Sequence, residues 1–224
     1  EEIEITRAPI ASTAPADLPD PGAQPFQLPE LPVAIELGNI QVDQLILGEP
    51  LIGLAATLQI AGKLALADGA LDTNLAITRL DRPGDVIRLA AQFENETNHI
   101  GLDLQVLEDA GGLISTALDI PDRPPLVFTA KGDGPVGDFT ADISLFSEDA
   151  ERISGQVRLR EMPPEQDAES TPGITFSADL GGDVTPLLQP DYDAFFGTDT
   201  RLILDGHRTG DGDVQISDLR ITSD

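Results

Sequence analysis

The chain has no cysteine and no tryptophan, and only one methionine, one tyrosine and two histidines in 224 residues. Without cysteine there is no disulfide, no thiolate metal site and no cysteine nucleophile, and the redox compartment stays open. His99 and His207 stand alone in strand-and-turn surroundings, where an exposed polar role is the ordinary one. Two histidines are too few for a histidine-rich metal centre, and no H-E-x-x-H pair occurs. Neither G-x-S-x-G nor a glycine-rich phosphate loop opening a helix is present. No enzyme, cofactor or metal assignment follows from the residues. Cations are scarce as well: 13 Lys and Arg stand against 40 Asp and Glu, a net charge of -27. Such a surface repels nucleic acid and anionic headgroups, so no nucleic-acid partner is expected. No apolar run approaches the roughly 20 residues of a membrane span, and the opening EEIEITRAPI is not a signal peptide.

What the chain does have is one phrase, repeated. In TLQIAGKLALADGALDTNLAITRLDRPGDVIRLAAQFE (57–94), apolar residues alternate with small or polar ones, and each run stops at Gly, Asp or Pro. Period-2 alternation of this kind marks strands with one buried face. Residues 1–10 read as the end strand of an upstream repeat, with Ile3 and Ile5 alternating against acids, which makes the chain a piece of something longer. Residues 11–32 read as a Pro-rich linker, since proline lacks the amide proton a central strand needs. Residues 33–160 then carry strand after strand. ADG (67–69) and DRPGD (81–85) are turns, and so is KGDGPVGD (131–138). The segment from Gly111 to Pro125 has room for one helical turn. An acidic loop, 161–173, precedes a continuing β segment, 174–224, in which Asp191–Phe196 reads as a short helix stopped by Gly197.

The strands are similar in length, joined by short connections, and no helix is long enough to cross between parallel strands. The fold expected is all-β: an elongated antiparallel sheet folded over, taco-like, into an open hydrophobic groove, with one or two short helices. Leu58, Ile60, Leu64, Leu66, Leu75, Ile77, Leu102, Leu104, Val106, Phe139, Ile143 and Leu145 share one parity and are the candidate lining. Alternation does not separate an open groove from the core of a closed sandwich. It also leaves open whether the segments on either side of 161–173 form one sheet. Acidic turns such as KGDGPVGD and TGDGDV have oxygens that suit calcium, although the spacing is not that of an EF-hand. The NET triplet at Asn95 fits the glycosylation pattern.

Two stretches resemble a known family. In residues 26–66, LPELPV (28–33) is followed by I-x-V-x-x-L-x-L-G at 40–48 and a hairpin over 53–64; near the end, PLLQPDYDAFFG occupies 186–197. Order and phrasing resemble the N-terminal half of the TamB family, the inner-membrane component of the translocation and assembly module, related to AsmA-like lipid-transfer proteins. The resemblance implies a periplasmic location in a Gram-negative bacterium and an inner-membrane anchor outside this chain. It implies a TamA-like outer-membrane barrel as partner, through parts also outside this chain. It further implies a role in outer-membrane protein assembly and in moving phospholipid between the two membranes. The ligand class would be phospholipid acyl chains. The competing expectation is a β-scaffold that binds client strands at its edge without carrying lipid.

Overall fold

The computed structural model describes residues 2–5, 35–67, 69–162, 173–192, 195–209 and 213–224. The linker assigned to 11–32 lies outside them, as does most of the acidic loop.

Twelve strands form one sheet in strict sequence order: β1 (Glu2–Ile5), β2 (Ile35–Leu47), β3 (Ala56–Ala67), β4 (Ala70–Arg79), β5 (Val86–Glu94), β6 (His99–Glu108), β7 (Leu126–Pro135), β8 (Asp138–Ser147), β9 (Ala150–Met162), β10 (Gly173–Gly182), β11 (Thr200–Arg208) and β12 (Val214–Ser223). From β2 to β12 every pairing is antiparallel, and β12 does not return to β1, so the sheet is open. β9 pairs directly with β10, so the two segments flanking the acidic loop are one continuous sheet. That loop is also shorter than its sequence boundaries: Glu161 and Met162 belong to β9, and Gly173 to β10.

β1 departs from the sequential antiparallel pattern. It lies parallel to the end of β2, Glu2 opposite Gln44 and Ile5 opposite Leu47. A parallel return needs a long connection, which residues 6–34 provide. β2 runs unbroken through Gly38 where the alternation stops and restarts, with register shifts between Leu37 and Ile40 and between Val42 and Leu45 absorbing the slip.

Helical structure is brief: α1 (Glu49–Ile52), α2 (Leu113–Ala117) and two 3₁₀ turns, Thr185–Leu187 and Pro190–Tyr192. Gly48-Glu49-Pro50 follows the end of β2 and opens α1, because proline is at home in a first helical turn. The helix expected over 191–196 is a 3₁₀ turn beginning at Pro190, prolonged by amides of Phe195 and Phe196 bonding to the Tyr192 carbonyl at 2.8 and 3.1 Å. Among the described residues no helix is long and apolar enough to cross a membrane.

KGDGPVGD is not the turn its composition proposes. β7 continues through Pro135, paired with β6 as far as His99, and only 136–137 turn. The acids and glycines there are sorted by face. Lys131 and Asp133 lie on the polar side, where Lys131 meets Asp103 at 3.0 Å and Asp133 meets His99 at 3.4 Å. Gly132 lies on the apolar side. A Cβ there would come within 2.5 Å of the Phe139 ring, so the glycine makes room for a neighbouring aromatic in a strand, not for a bend.

Gly155 has a second kind of necessity. Its φ is +153°, and a Cβ would strike the Asp179 carbonyl and reach 2.9 Å from the Leu180 Cα. Both obstacles are backbone of the neighbouring strand and cannot swing aside. Gly155→Ala is expected to destabilise the protein by about 2 kcal/mol or more, read as a lowered denaturation midpoint at unchanged slope. An unchanged midpoint would show that β9 and β10 are not this closely apposed.

Candidate functional site

Directly paired residues in an antiparallel ladder share a face, so the register assigns every side chain to one side. One row reads Gly62, Leu75, Leu89, Leu104, Ala130, Ile143, Gly155, Leu180, Leu202, Ile221 from β3 to β12. A second reads Ile60, Ile77, Ile87, Val106, Phe128, Leu145, Ile153. The next residue along each strand faces the other way: Lys63, Asn74, Ala90, Asp103, Lys131, Asp142, Gln156, Asp179. One face is therefore aliphatic across the sheet and the other polar.

All twelve candidate lining residues lie on the aliphatic face. Leu58, Val106 and Phe139 are buried; Ile60, Leu64, Leu66, Leu75, Ile77, Leu102, Leu104, Ile143 and Leu145 are half-buried. Among the described residues there is no second sheet to cover them. Phe93, Ala130, Phe139 and Ala141 are nevertheless at most 6% exposed. Phe139 lies against Gly132, and Ala130 and Ala141 are small residues flanked by Leu104, Phe139 and Ile143, so side chains of the same face shield them, and the apolar face of the open sheet is the trough. The sequence reading omitted residues of the same parity on the remaining strands, among them Leu89, Phe128, Ile153, Leu180 and Leu202, which continue the lining.

One rim of the trough differs from the other. The connections at the ends of β2, β6 and β10 carry α1, α2 and the two 3₁₀ turns, all on the same rim. α1 touches α2, and Gln189 beside the 3₁₀ turns donates through Nε2 to the Asp119 carbonyl just after α2, at 2.8 Å. Leu113 and Ile114 of α2 close over Leu58, Ile77 and Val106. Those three candidates thus form a packed core under α2 and not an exposed lining.

Charged residues hold this cover in place. Arg79 and Glu108 sit at apolar-parity positions at the rim ends of β4 and β6, and both are buried, as is Asp85 on the intervening turn. Arg79 bonds Asp85 at 3.1 Å and makes a forked contact with Asp81, at 2.9 Å from Nη2 and 3.1 Å from Nε. Asp81 also accepts the Thr57 amide at 2.7 Å, and Asp85 accepts that of Asp109 at 3.1 Å. α2 has glycine at its N-cap with no side-chain cap of its own. Glu108 supplies one, accepting the amides of Ile114 at 2.7 Å and Ser115 at 2.8 Å. Arg82 adds bonds to the carbonyls of Ala110 and Gly111. A charged residue closing an otherwise apolar parity was the sequence signal for this rim, at Arg79 and again at Glu108.

Hydrogen bonding to Asp81 holds the Arg79 guanidinium above even its usual high range. Partial burial alone would raise the Asp81 carboxyl, but donation from Arg79 and the Thr57 amide brings it below the ordinary aspartate range. Under the 3₁₀ turns lies a hollow of about 240 Å³, lined by Ile153, Leu180, Leu202 and Ile221 below and by Val184, Leu188 and Phe196 above. A shallower hollow of about 520 Å³ occupies the polar face, between Gln92, Asp103, Lys131, Asp133 and Asp142. Its charged residues already have partners: Lys131 pairs with Asp103, Asp133 with His99, and Asp142 accepts from Gln156. Among the described residues no cluster of three metal-ligating side chains occurs.

Comparison with family models, with curated proteins and with solved structures finds no match to this chain.

Removing Arg79 leaves Asp85 buried without its cation. Arg79→Met is expected to cost about 3–5 kcal/mol in chemical denaturation, well beyond a surface ion pair. For Asp81 the native value lies below the unfolded one, so its contribution is present above about pH 4 and is lost as pH falls through the native value. Asp81→Asn should therefore be less stable than the parent by about 1 kcal/mol at pH 6, with a gap that narrows as pH falls below about 4. A gap that persists at low pH would rule out the ion pair as its source.

Proposed function

We propose that this chain is a segment of a hydrocarbon-carrying trough, periplasmic and TamB-like, which guides phospholipid acyl chains between the inner and outer membranes. The observation that carries this reading is the aliphatic face: continuous across the strands, half-buried, and covered by no second sheet among the described residues. Ten inter-strand steps from β2 to β12, at about 4.8 Å each, make the trough roughly 48 Å long. An acyl chain spans about half of a bilayer's roughly 30 Å hydrocarbon core, so several would fit in line. At about 0.8 kcal/mol per CH₂, a chain of roughly 16 carbons costs on the order of 12 kcal/mol in water. An aliphatic trough removes most of that penalty with no catalytic group and no cofactor. The polar face keeps the open sheet in solution, with cross-strand pairs such as Lys131–Asp103 and Arg160–Asp138 laid over a strong negative excess. The supporting role in outer-membrane protein assembly, the TamA-like partner and the inner-membrane anchor rest on the sequence resemblance alone.

A second reading rests on β12. Among the described residues it pairs only with β11, and Val214, Ile216 and Leu219 are 66%, 57% and 60% exposed. It has no proline and no lysine to guard its edge, so an incoming strand of alternating polarity would extend both the ladder and the apolar face.

Photo-crosslinkers at Leu104 and Asp103 separate the two readings, because these neighbours face opposite sides. The trough reading expects lipid adducts at Leu104 and almost none at Asp103; equal labelling, or none at either, overturns it. If instead proline substitutions in β12 abolish capture of a client strand while Leu104→Gln changes nothing, the edge-binding reading takes its place.

A further inference from the structure

The trough has a roofed pocket. Most of its floor is open along one side, but between β9 and β12 the segment after β10 folds back over the aliphatic face. Its residues Val184, Leu188 and Phe196 roof a hollow of about 240 Å³ whose floor includes Leu180, Leu202 and Ile221. We infer that this hollow binds the methyl end of a saturated hydrocarbon chain, so that one acyl tail is held at a fixed place while the rest of the lipid lies along the trough. The inference rests on the hydrocarbon-carrying reading above and adds a stopping place to it.

Three features point to an unsubstituted hydrocarbon end. The lining is aliphatic and aromatic apart from Thr200, and the Thr200 hydroxyl is already engaged, 3.2 Å from both the Gly197 carbonyl and the Ser223 hydroxyl. A headgroup, hydroxyl or carboxylate entering here would find no partner and would lose its hydration. The size suits a chain end: apolar cavities of about 150 Å³ already stay dry and take up benzene, and this one is larger. Its floor residues Ile153, Leu180, Leu202 and Ile221 belong to the same two cross-strand rows as the half-buried Ile143 and Leu145, so a chain lying in the trough reaches the hollow without crossing polar surface.

The roof is anchored from both sides, which makes the hollow a built feature of the fold. The Asp183 carboxylate accepts from the Thr185 hydroxyl at 2.6 Å and lies 3.5 Å from Arg152 of β9. At the other end the Gly197 amide donates to Ser223 of β12. Phe195 packs its ring edge-to-face on Phe196 at 4.8 Å, holding Phe196 inward while Phe195 itself faces solvent.

Stearate carrying a nitroxide at carbon 16, and stearate carrying it at carbon 5, test this on the whole chain with methyl-labelled Ile, Leu and Val. The carbon-16 label should broaden the methyls of Val184, Leu188 and Leu202 first, and the carbon-5 label, about three strand spacings away, those of Ile143 and Leu145. Val184→Phe, which fills the hollow from its roof, should abolish the preference at Leu202 and weaken stearate binding about tenfold, the loss expected from expelling two or so methylenes. Its circular dichroism and melting should match the parent. The roofed pocket is overturned if the carbon-16 label broadens Leu75, Leu102 and Leu202 alike, or if Val184→Phe leaves its pattern unchanged; the trough survives either result. Absence of broadening from both labels overturns the trough and the pocket together.

Discussion

A β-strand sends alternate side chains to opposite sides, and a sequential meander keeps that alternation in phase from strand to strand. Here the phase holds from β2 to β12, so a single error in parity would turn a row of leucines into solvent. Everything else in the molecule answers the question this raises: what covers an aliphatic face that wide when no second sheet is present among the described residues? Part of the cover comes from the side chains of that face, which shield one another at Phe93, Ala130, Phe139 and Ala141. Part comes from the helical pieces along one rim. The remainder stays half-buried, and half-buried aliphatic surface is the property that a passing hydrocarbon would use.

The rim explains why charge appears where parity predicts grease. Arg79, Asp85 and Glu108 are buried on the aliphatic side, where an isolated charge would be expensive. Each is satisfied: Arg79 by two aspartates, Glu108 by two amides at the start of α2. A purely apolar contact would let α2 slide over the leucines beneath it. Directional bonds to Glu108 and Arg82 set its position, so the cover stops at the rim and does not spread across the trough. The glycines have the converse task, since Gly132 and Gly155 remove side chains where a ring or a neighbouring backbone must come close.

An open sheet also has ends. A closed barrel would hide them but would shut the aliphatic face inside, as a sandwich would. Among the described residues the sheet stays open, which keeps that face reachable. The chain's net charge of -27 is the natural companion of such a design, because like-charged molecules resist the edge-to-edge association that an open ribbon invites.

Much of this was legible in the residues. The alternation in 57–106 located the strands and placed all twelve candidate lining residues on one face, because parity is a local property that needs no knowledge of partners. The ADG and DRPGD turns were legible for the same reason. KGDGPVGD misled, since Gly132 makes room for the neighbouring Phe139 across the ladder, a contact no local reading contains. The parallel return of β1, the continuity of β9 with β10, and the folding of α2 over Leu58, Ile77 and Val106 all depend on residues far apart in the chain. So does the choice between core and trough. Alternation determines that a face is apolar; whether that face is plugged or left open depends on where the connections fold, and that is decided by the buried bonds of Arg79, Asp85 and Glu108 and by the roof over Leu202.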